Sequence, residues 1–394
     1  MKAKNLLEFN DVTMAFGGNR RNPDGVVALE ALDLVIRADK PSIIAIAGES
    51  GSGKTTLARL GLGMVKPTGG RVIYKGRDLW AMSKDERRDY RREVQAIFQD
   101  PFAVFNPFYT IDRLLQTPIR TFKLTKNRAQ ARLMIADALQ KVGLRPDEVL
   151  GRYPHQLSGG QRQRIVVARS LLLQPKLIVA DEPVSMIDAS LRANILTKLK
   201  ELRDEFGISL LYITHDLATA HQISDQIFIL YRGRVVEVGD ATSVIRHPQH
   251  PYTQLLVSSI PRPDPDRRWQ GTVEIPLVEL SPGGDRGGCL FRHRCPHAMP
   301  ECNHTTPEQF PGGLWAVGGL LPVQGKRQPC LARTASAGKL PSGLLSRLSH
   351  RPPVCGGEFC MRARPGPAST PPPAPLRSVC LNALGASCTI APHC

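Results

Sequence analysis

The stretch GESGSGKTT, residues 48–56, follows the apolar run SIIAIA at 42–47 and precedes TTLARLGLGMV, whose apolar residues recur at helical spacing. That order reads as strand, loop, helix, the setting a phosphate-binding loop requires. Gly48, Gly51 and Gly53 let successive backbone N–H groups turn toward an anion, and the helix N-terminus adds partial positive charge. Lys54 supplies a full charge and Thr55 a hydroxyl for Mg²⁺. Glu49, Ser50, Ser52 and Thr56 complete the lining. Gly48, Gly53, Lys54 and Thr55 satisfy the spacing G-x-x-x-x-G-K-[ST].

The surrounding 394 residues are enough for one large core and something smaller. No apolar run reaches the ~18 residues that span a bilayer, and MKAKNLLEFND lacks the apolar centre of a signal peptide, so the expected location is cytoplasmic. The net charge of +17 raises nucleic acid as a partner. However, basic residues such as those of KDERRDYRREV, at 84–94, alternate with acids, as on a solvated helix face. All nine cysteines lie beyond residue 288, and in a cytosolic chain such clustering points to metal or free thiols before disulfides.

To about residue 260 the chain alternates β-rich runs (KLIVAD, ISLLYIT, QIFILY) with helical patterns, which predicts an α/β core around a mainly parallel sheet. LLEFNDVTMAF and VVALEALDLVIRA, ahead of the phosphate loop, predict an antiparallel β subdomain. Over roughly 100–165 the β runs cease, and KNRAQARLMIADALQKVGL predicts a helix ending at Gly143 within an inserted helical subdomain. A Pro-rich linker at 260–268 leads to a small Cys-bearing module at 261–330. Residues 331–394 hold ten prolines and a single aromatic, Phe359, too little apolar surface to offset the entropy of ordering; disorder is expected there.

Two further segments carry chemistry. The strand LIVAD delivers Asp181, suited to holding Mg²⁺ through its water shell, and Glu182, placed to orient or deprotonate an attacking water. LSGGQRQR, at 157–164, puts Ser158 at an N-cap with Gly159, Gly160 and Gln161 opening a helix, a second anion-binding helix end. Two such ends in one chain make sense if the second serves a nucleotide held by another subunit.

These motifs resemble those of the ATP-binding-cassette (ABC) ATPases, a P-loop NTPase fold in which LSGGQ is the signature and two subunits close head to tail over two ATP molecules. The resemblance implies that Lys54 contacts the β- and γ-phosphates and that Thr55, Gln99 of IFQDP and Asp181 surround Mg²⁺. It makes Glu182 the catalytic base and His215 of YITHD the switch histidine. Phe16 falls at the adenine-stacking position, where an ordinary strand aromatic is the other reading. The loop SMID departs from the usual SALD but keeps Asp188, which serves subunit cross-talk, and DKPS replaces a Gly-Glu turn.

The flanks, above all HPQHPYTQLLVSSIPRPDP at 247–265, are similar to the oligopeptide and dipeptide permease branch, whose relatives import nickel or some oligosaccharides. That similarity implies a second ABC ATPase subunit, two membrane permease subunits and an extracytoplasmic solute-binding protein as partners, with the chain on the cytoplasmic face of the membrane. A soluble ABC protein acting on nucleic acid or ribosomes is the contrasting class; one signature motif and no sustained heptads speak against it, and no nucleic acid is expected. Cys289, Cys295 and Cys302, with Cys330 as the available fourth thiolate, are similar to the branch's Cys-rich region, some members of which bind a [4Fe-4S] cluster. Cluster, zinc and plain thiols remain open readings of these residues.

Overall fold

The computed structural model describes residues 4–17, 25–100, 102–185, 189–260, 286–307, 310–312 and 316–318. Asp188, Cys330, the linker beyond Ile260 and the tail at 331–394 lie outside the described residues.

The chain opens with β1 (Asn5–Phe16) and β2 (Val26–Arg37), paired antiparallel as the sequence predicts. Leu32, Leu34 and Ile36 of β2 turn inward while Asp33, Val35 and Arg37 face out, the alternation of a sheet covered on one side. Next come β3 (Ile43–Ala47) and α1 (Lys54–Gly61), joined by the phosphate loop. Strands β4 (Gly69–Tyr74) and β5 (Arg77–Asp78) complete a four-stranded sheet in the order β2-β1-β4-β5.

The basic stretch forms α2 (Lys84–Glu93), capped reciprocally by Ser83 and Glu86, with Tyr90 its sole buried residue; it is a solvated face, as expected. It runs directly into β6 (Val94–Ile97), a strand too short to show a period in the sequence. Three helices follow: α3 (Ile111–Thr121), α4 (Arg128–Lys141) and α5 (Pro146–Val149). Asn127 caps α4 by accepting from the N–H groups of Ala129 and Gln130, and Gly143, at φ 70°, lies just past its end. The signature segment then opens α6 (Gly159–Leu171).

The remaining core alternates as β7 (Leu177–Asp181), α7 (Ala189–Asp204), β8 (Ser209–Thr214), α8 (Leu217–Ile223) and β9 (Gln226–Tyr231). It ends with β10 (Arg234–Asp240), α9 (Ala241–Arg246) and α10 (Pro251–Ser258). Two short strands, β11 (Phe310–Gly312) and β12 (Ala316–Gly318), add to the edge of the main sheet, whose order is β11-β12-β10-β9-β3-β8-β7-β6. From β9 to β6 the neighbours are parallel, and β3, β7 and β8 are buried at every position, which is why they read as unbroken apolar runs.

Alternate residues of these strands feed two cores. Ile44, Ile46, Val179, Leu211 and Ile213 pack with α1 and the four-stranded sheet, while Ile43, Ala45, Ile178, Leu210 and Tyr212 pack with α6, α7 and the helical insertion. Leu290 and Phe291 of the Cys-bearing segment belong to the second core, so this segment is built into the body of the fold.

One charged cluster ties the two sheets and that segment together. Glu30 of β2 accepts from Arg234 of β10 and from Arg286, whose guanidinium also donates to the carbonyls of Val27 and Arg232, each at 3.1 Å. Burial alone would raise the Glu30 carboxyl, but hydrogen bonds from the two arginines outweigh it and hold the group below its ordinary 4.5. The stabilisation is therefore full above pH 4.5 and is lost as pH falls through the lowered folded value. Glu30→Gln should cost about 1–2 kcal/mol at neutral pH. In thermal melts its deficit against the native chain should vanish in acid; a deficit that persists there would show packing, not charge, to be the cause.

Candidate functional site

The carboxyl ends of β3, β7 and β8 converge, the crevice where open parallel sheets receive ligands. The phosphate loop leaves β3 squeezed between the two sheets. A Cβ on Gly48, at φ 154°, would lie 2.2 Å from the carbonyl oxygen of Leu230 in β9. One on Gly53, at φ 105°, would lie 2.4 Å from the carbonyl oxygen of Ala28 in β2. Only glycine meets both the backbone angle and the approach. Gly53 is also the N-cap of α1, so the same residue that lets β2 come close starts the helix.

Lys54 is 6% exposed, and its Nζ donates to the carbonyls of Gly48 and Glu49 at 2.7 Å each. Burial pulls its pKa down, against the fields of Glu182, Asp181 and Glu49. Thr55 hydrogen-bonds to Asp181 at the end of β7. Burial, then repulsion from Glu182, pushes the Asp181 carboxyl up, so the site gains from any positive charge placed on it. A buried carboxylate beside a hydroxyl is an all-oxygen donor set of the kind Mg²⁺ takes, and the residues present fit that ion.

Glu182 begins the turn after β7 at φ 47°, a left-handed angle rare for a residue with a side chain. Neighbours over-determine it: its N–H donates to the Ile213 carbonyl at 2.9 Å, and its carbonyl accepts from the Ser185 N–H and hydroxyl at 3.2 and 3.0 Å. Its carboxylate is gripped on both oxygens, Oε2 by Gln99 Nε2 at 3.0 Å and Oε1 by His215 Nδ1 at 2.9 Å. The structure thus brings Lys54, Thr55, Gln99, Asp181, Glu182 and His215 into one site.

The signature residues stand apart from it. Ser158 and Gln161 form a reciprocal capping box at the start of α6, with bonds of 2.9 and 3.2 Å. Ser158 and Gly160 line a groove with Asn194 and Lys198 of α7, which no phosphate-loop residue lines. Phe16 is partly exposed at the end of β1, opposite Val26. Residues that the sequence reading missed hold Glu49: Tyr252 of α10 accepts its N–H at 2.8 Å, and Arg294 pairs with its carboxylate. Tyr252 lies inside the HPQHPYTQ stretch, the sole signal that could have pointed to it.

The described part of the Cys-bearing segment lends the cluster reading no support. Cys289, Cys295 and Cys302 are half-buried, and the Cys289 N–H donates to the Cys302 carbonyl at 2.8 Å. Burial pushes the Cys289 thiol up. Among the described residues no group of three or more His, Cys, Asp or Glu side chains is arranged to hold a metal ion. The expected [4Fe-4S] cluster thus finds no support in the described residues.

A phosphate loop at the head of a parallel sheet, with two strand-end carboxylates facing it, defines a P-loop nucleotide hydrolase. Residues 31–185 match the family model described as ABC transporter, and residues 236–302 match that for the oligopeptide/dipeptide transporter C-terminal region. The oligopeptide transport ATP-binding protein OppF of Salmonella typhimurium is 44% identical over 309 residues, covering 77% of this chain and 92% of the relative. The putative oligopeptide transport ATP-binding protein YkfD of Bacillus subtilis is 41% identical over 310 residues, 78% of this chain and 92% of the relative. Among solved structures, the dimeric structure of a bacterial ABC transporter cassette superposes with a TM-score of 0.53 at 27% identity, covering 60% of this chain and 99% of that one. The chain belongs to the ABC transporter ATP-binding proteins and is an ATPase of that family.

Gly53→Ala should force β2 and α1 apart, costing about 1–3 kcal/mol and weakening nucleotide binding. Thermal melts and titration with a fluorescent ATP analogue would check this; an unchanged melting temperature and affinity would show the close approach to be dispensable.

Proposed function

We propose that this ATPase powers a peptide importer, working head to tail with a second ABC ATPase subunit beneath two membrane permease subunits and an extracytoplasmic solute-binding protein. The match of residues 236–302 to the oligopeptide/dipeptide C-terminal region carries the reading, because a cassette alone is common to many cargoes. The names of the relatives agree with it. No helix among the described residues is long and apolar enough to cross a membrane, consistent with a peripheral place on the cytoplasmic face.

In this reading Lys54 attracts the β- and γ-phosphates of ATP, and Thr55, Asp181 and Gln99 would hold Mg²⁺. The ion supplies neutralising charge at the phosphate oxygens. Glu182 orients water and accepts its proton, held by Gln99 and His215 so that its oxygens do not wander. Because His215 reaches only the carboxylate and Gln99 stands at the border of the helical insertion, movement of either element would alter the grip on Glu182. That couples domain motion to hydrolysis. Ser158, Gly159, Gly160 and Gln161 face the partner's nucleotide, which explains their distance from the chain's own loop, and Asp188 serves the subunit seam.

Residues 1–260 form the ATP-binding part, 100–165 its helical insertion and 261–330 the C-terminal region. The tail beyond 331 carries no assigned role.

Glu182→Gln should lower hydrolysis at least ~100-fold while ATP binding persists, whereas Lys54→Ala should abolish binding itself. Wild-type turnover in the Gln variant would remove Glu182 from the mechanism. The cargo is tested in liposomes carrying the assembled importer and its binding protein: peptides should stimulate ATP hydrolysis, and stimulation by nickel or oligosaccharides alone would overturn the peptide assignment.

A further inference from the structure

Glu49 is the one acidic residue of the phosphate loop. A carboxylate there repels the polyphosphate that Lys54 and the loop N–H groups attract, and its field already reaches Lys54. The chain answers with a residue from the Cys-bearing segment. Arg294 forks onto the carboxylate, Nη1 to Oε2 and Nη2 to Oε1, each at 2.9 Å. Such bidentate, charge-assisted pairs are the strong ones, and Arg294 is only 19% exposed against 39% for Glu49. Its guanidinium is fixed in turn by a hydrogen bond to the Tyr231 hydroxyl at the end of β9 and lies 5.8 Å from the Phe291 ring centroid. Tyr231, Tyr252 and Phe291 pack into one buried aromatic cluster, with centroids 4.6–5.6 Å apart. From this cluster Tyr252 takes the Glu49 N–H, while the Glu49 carbonyl accepts from Lys54. Glu49 is therefore held at its N–H, its carbonyl and both carboxylate oxygens, three of these four points by the two residues Tyr252 and Arg294 from beyond residue 250.

We infer that Arg294 is a positioning residue for nucleotide binding: it neutralises Glu49 so that the phosphate loop meets the polyphosphate of ATP with the charge of Lys54 uncancelled. The Cys-bearing segment is in this way part of the nucleotide site without touching nucleotide. The inference rests on the assignment of residues 48–56 to the phosphates, which Lys54→Ala tests separately.

The test measures the dissociation constant of a fluorescent ATP analogue on the full chain. Arg294→Ala should weaken binding about 3- to 10-fold at low salt. The defect should shrink as ionic strength rises, because a charge effect is screened and a misfolded loop is not. Arg294→Lys should retain most of the affinity. Glu49→Gln alone, which leaves the positive charge of Arg294 uncancelled, should bind tighter than the native chain, and adding it to Arg294→Ala should restore most of the affinity that Arg294→Ala loses. A double variant as weak as Arg294→Ala, a salt-independent defect, or unchanged binding in Arg294→Ala would each overturn the inference. If Arg294→Ala does not fold, Glu49→Gln decides alone, since weaker binding there means that the carboxylate helps rather than hinders. Loss of binding in Lys54→Ala alongside normal binding in Arg294→Ala would sink this inference and leave the phosphate-loop assignment standing. Normal binding in Lys54→Ala would sink both.

Discussion

Two carbonyl oxygens, those of Leu230 and Ala28, press on the phosphate loop from opposite sides, and the fold works because Gly48 and Gly53 have nothing to put in their way. The loop is one point at which the parallel sheet and the antiparallel sheet approach each other through backbone alone. Further bonds follow from it: the Gly233 N–H reaches the Ser52 carbonyl at 2.9 Å, and the Glu30 N–H reaches the Gly233 carbonyl at 2.9 Å. The turn between β9 and β10 is thereby locked to the loop and to β2 at once. A loop so confined presents its N–H groups in one arrangement, which is the preorganisation that phosphate binding needs.

The hydrolytic side of the site is built on a different principle. Glu182 occupies a left-handed backbone angle that costs free energy in isolation and is held there by Ile213 and Ser185. Its side chain then depends on Gln99 and His215, each at the end of a different strand, β6 and β8. Three strands thus position one carboxylate. The arrangement is rigid toward the sheet and sensitive toward whatever moves the two gripping residues, a division suited to coupling domain motion to hydrolysis.

Much of this was legible in the sequence where function and local pattern coincide. Glycines at 48, 51 and 53, the apolar strand ending in Asp181 and the Ser158 cap are all short-range signals, because a loop, a strand end and a helix start are each specified within a few residues. The parallel core was readable for the same reason, since burial on both faces leaves unbroken apolar runs. Strand β6 was not, because four residues after a charged helix show no period. The pairs Glu30–Arg286 and Glu49–Arg294 were also invisible: they join residues 256 and 245 positions apart, and no local spacing encodes such a contact. The cysteine pattern is a different case. Its spacing was conspicuous, yet Cys289 and Cys295 pack against the core, and no group of three or more His, Cys, Asp or Glu among the described residues is arranged to hold a metal ion.

Glu49 and Arg294 are also separated in time. Chains grow from the N-terminus, and the 245 residues between the pair correspond to roughly 10–50 seconds of synthesis at ordinary rates. For that interval the phosphate loop exists with its carboxylate uncompensated and the Glu49 N–H without the Tyr252 hydroxyl. A nascent cassette would bind ATP more weakly until its C-terminal region has emerged and docked. Full affinity for nucleotide would thereby be reached only by chains whose synthesis has passed the Cys-bearing segment.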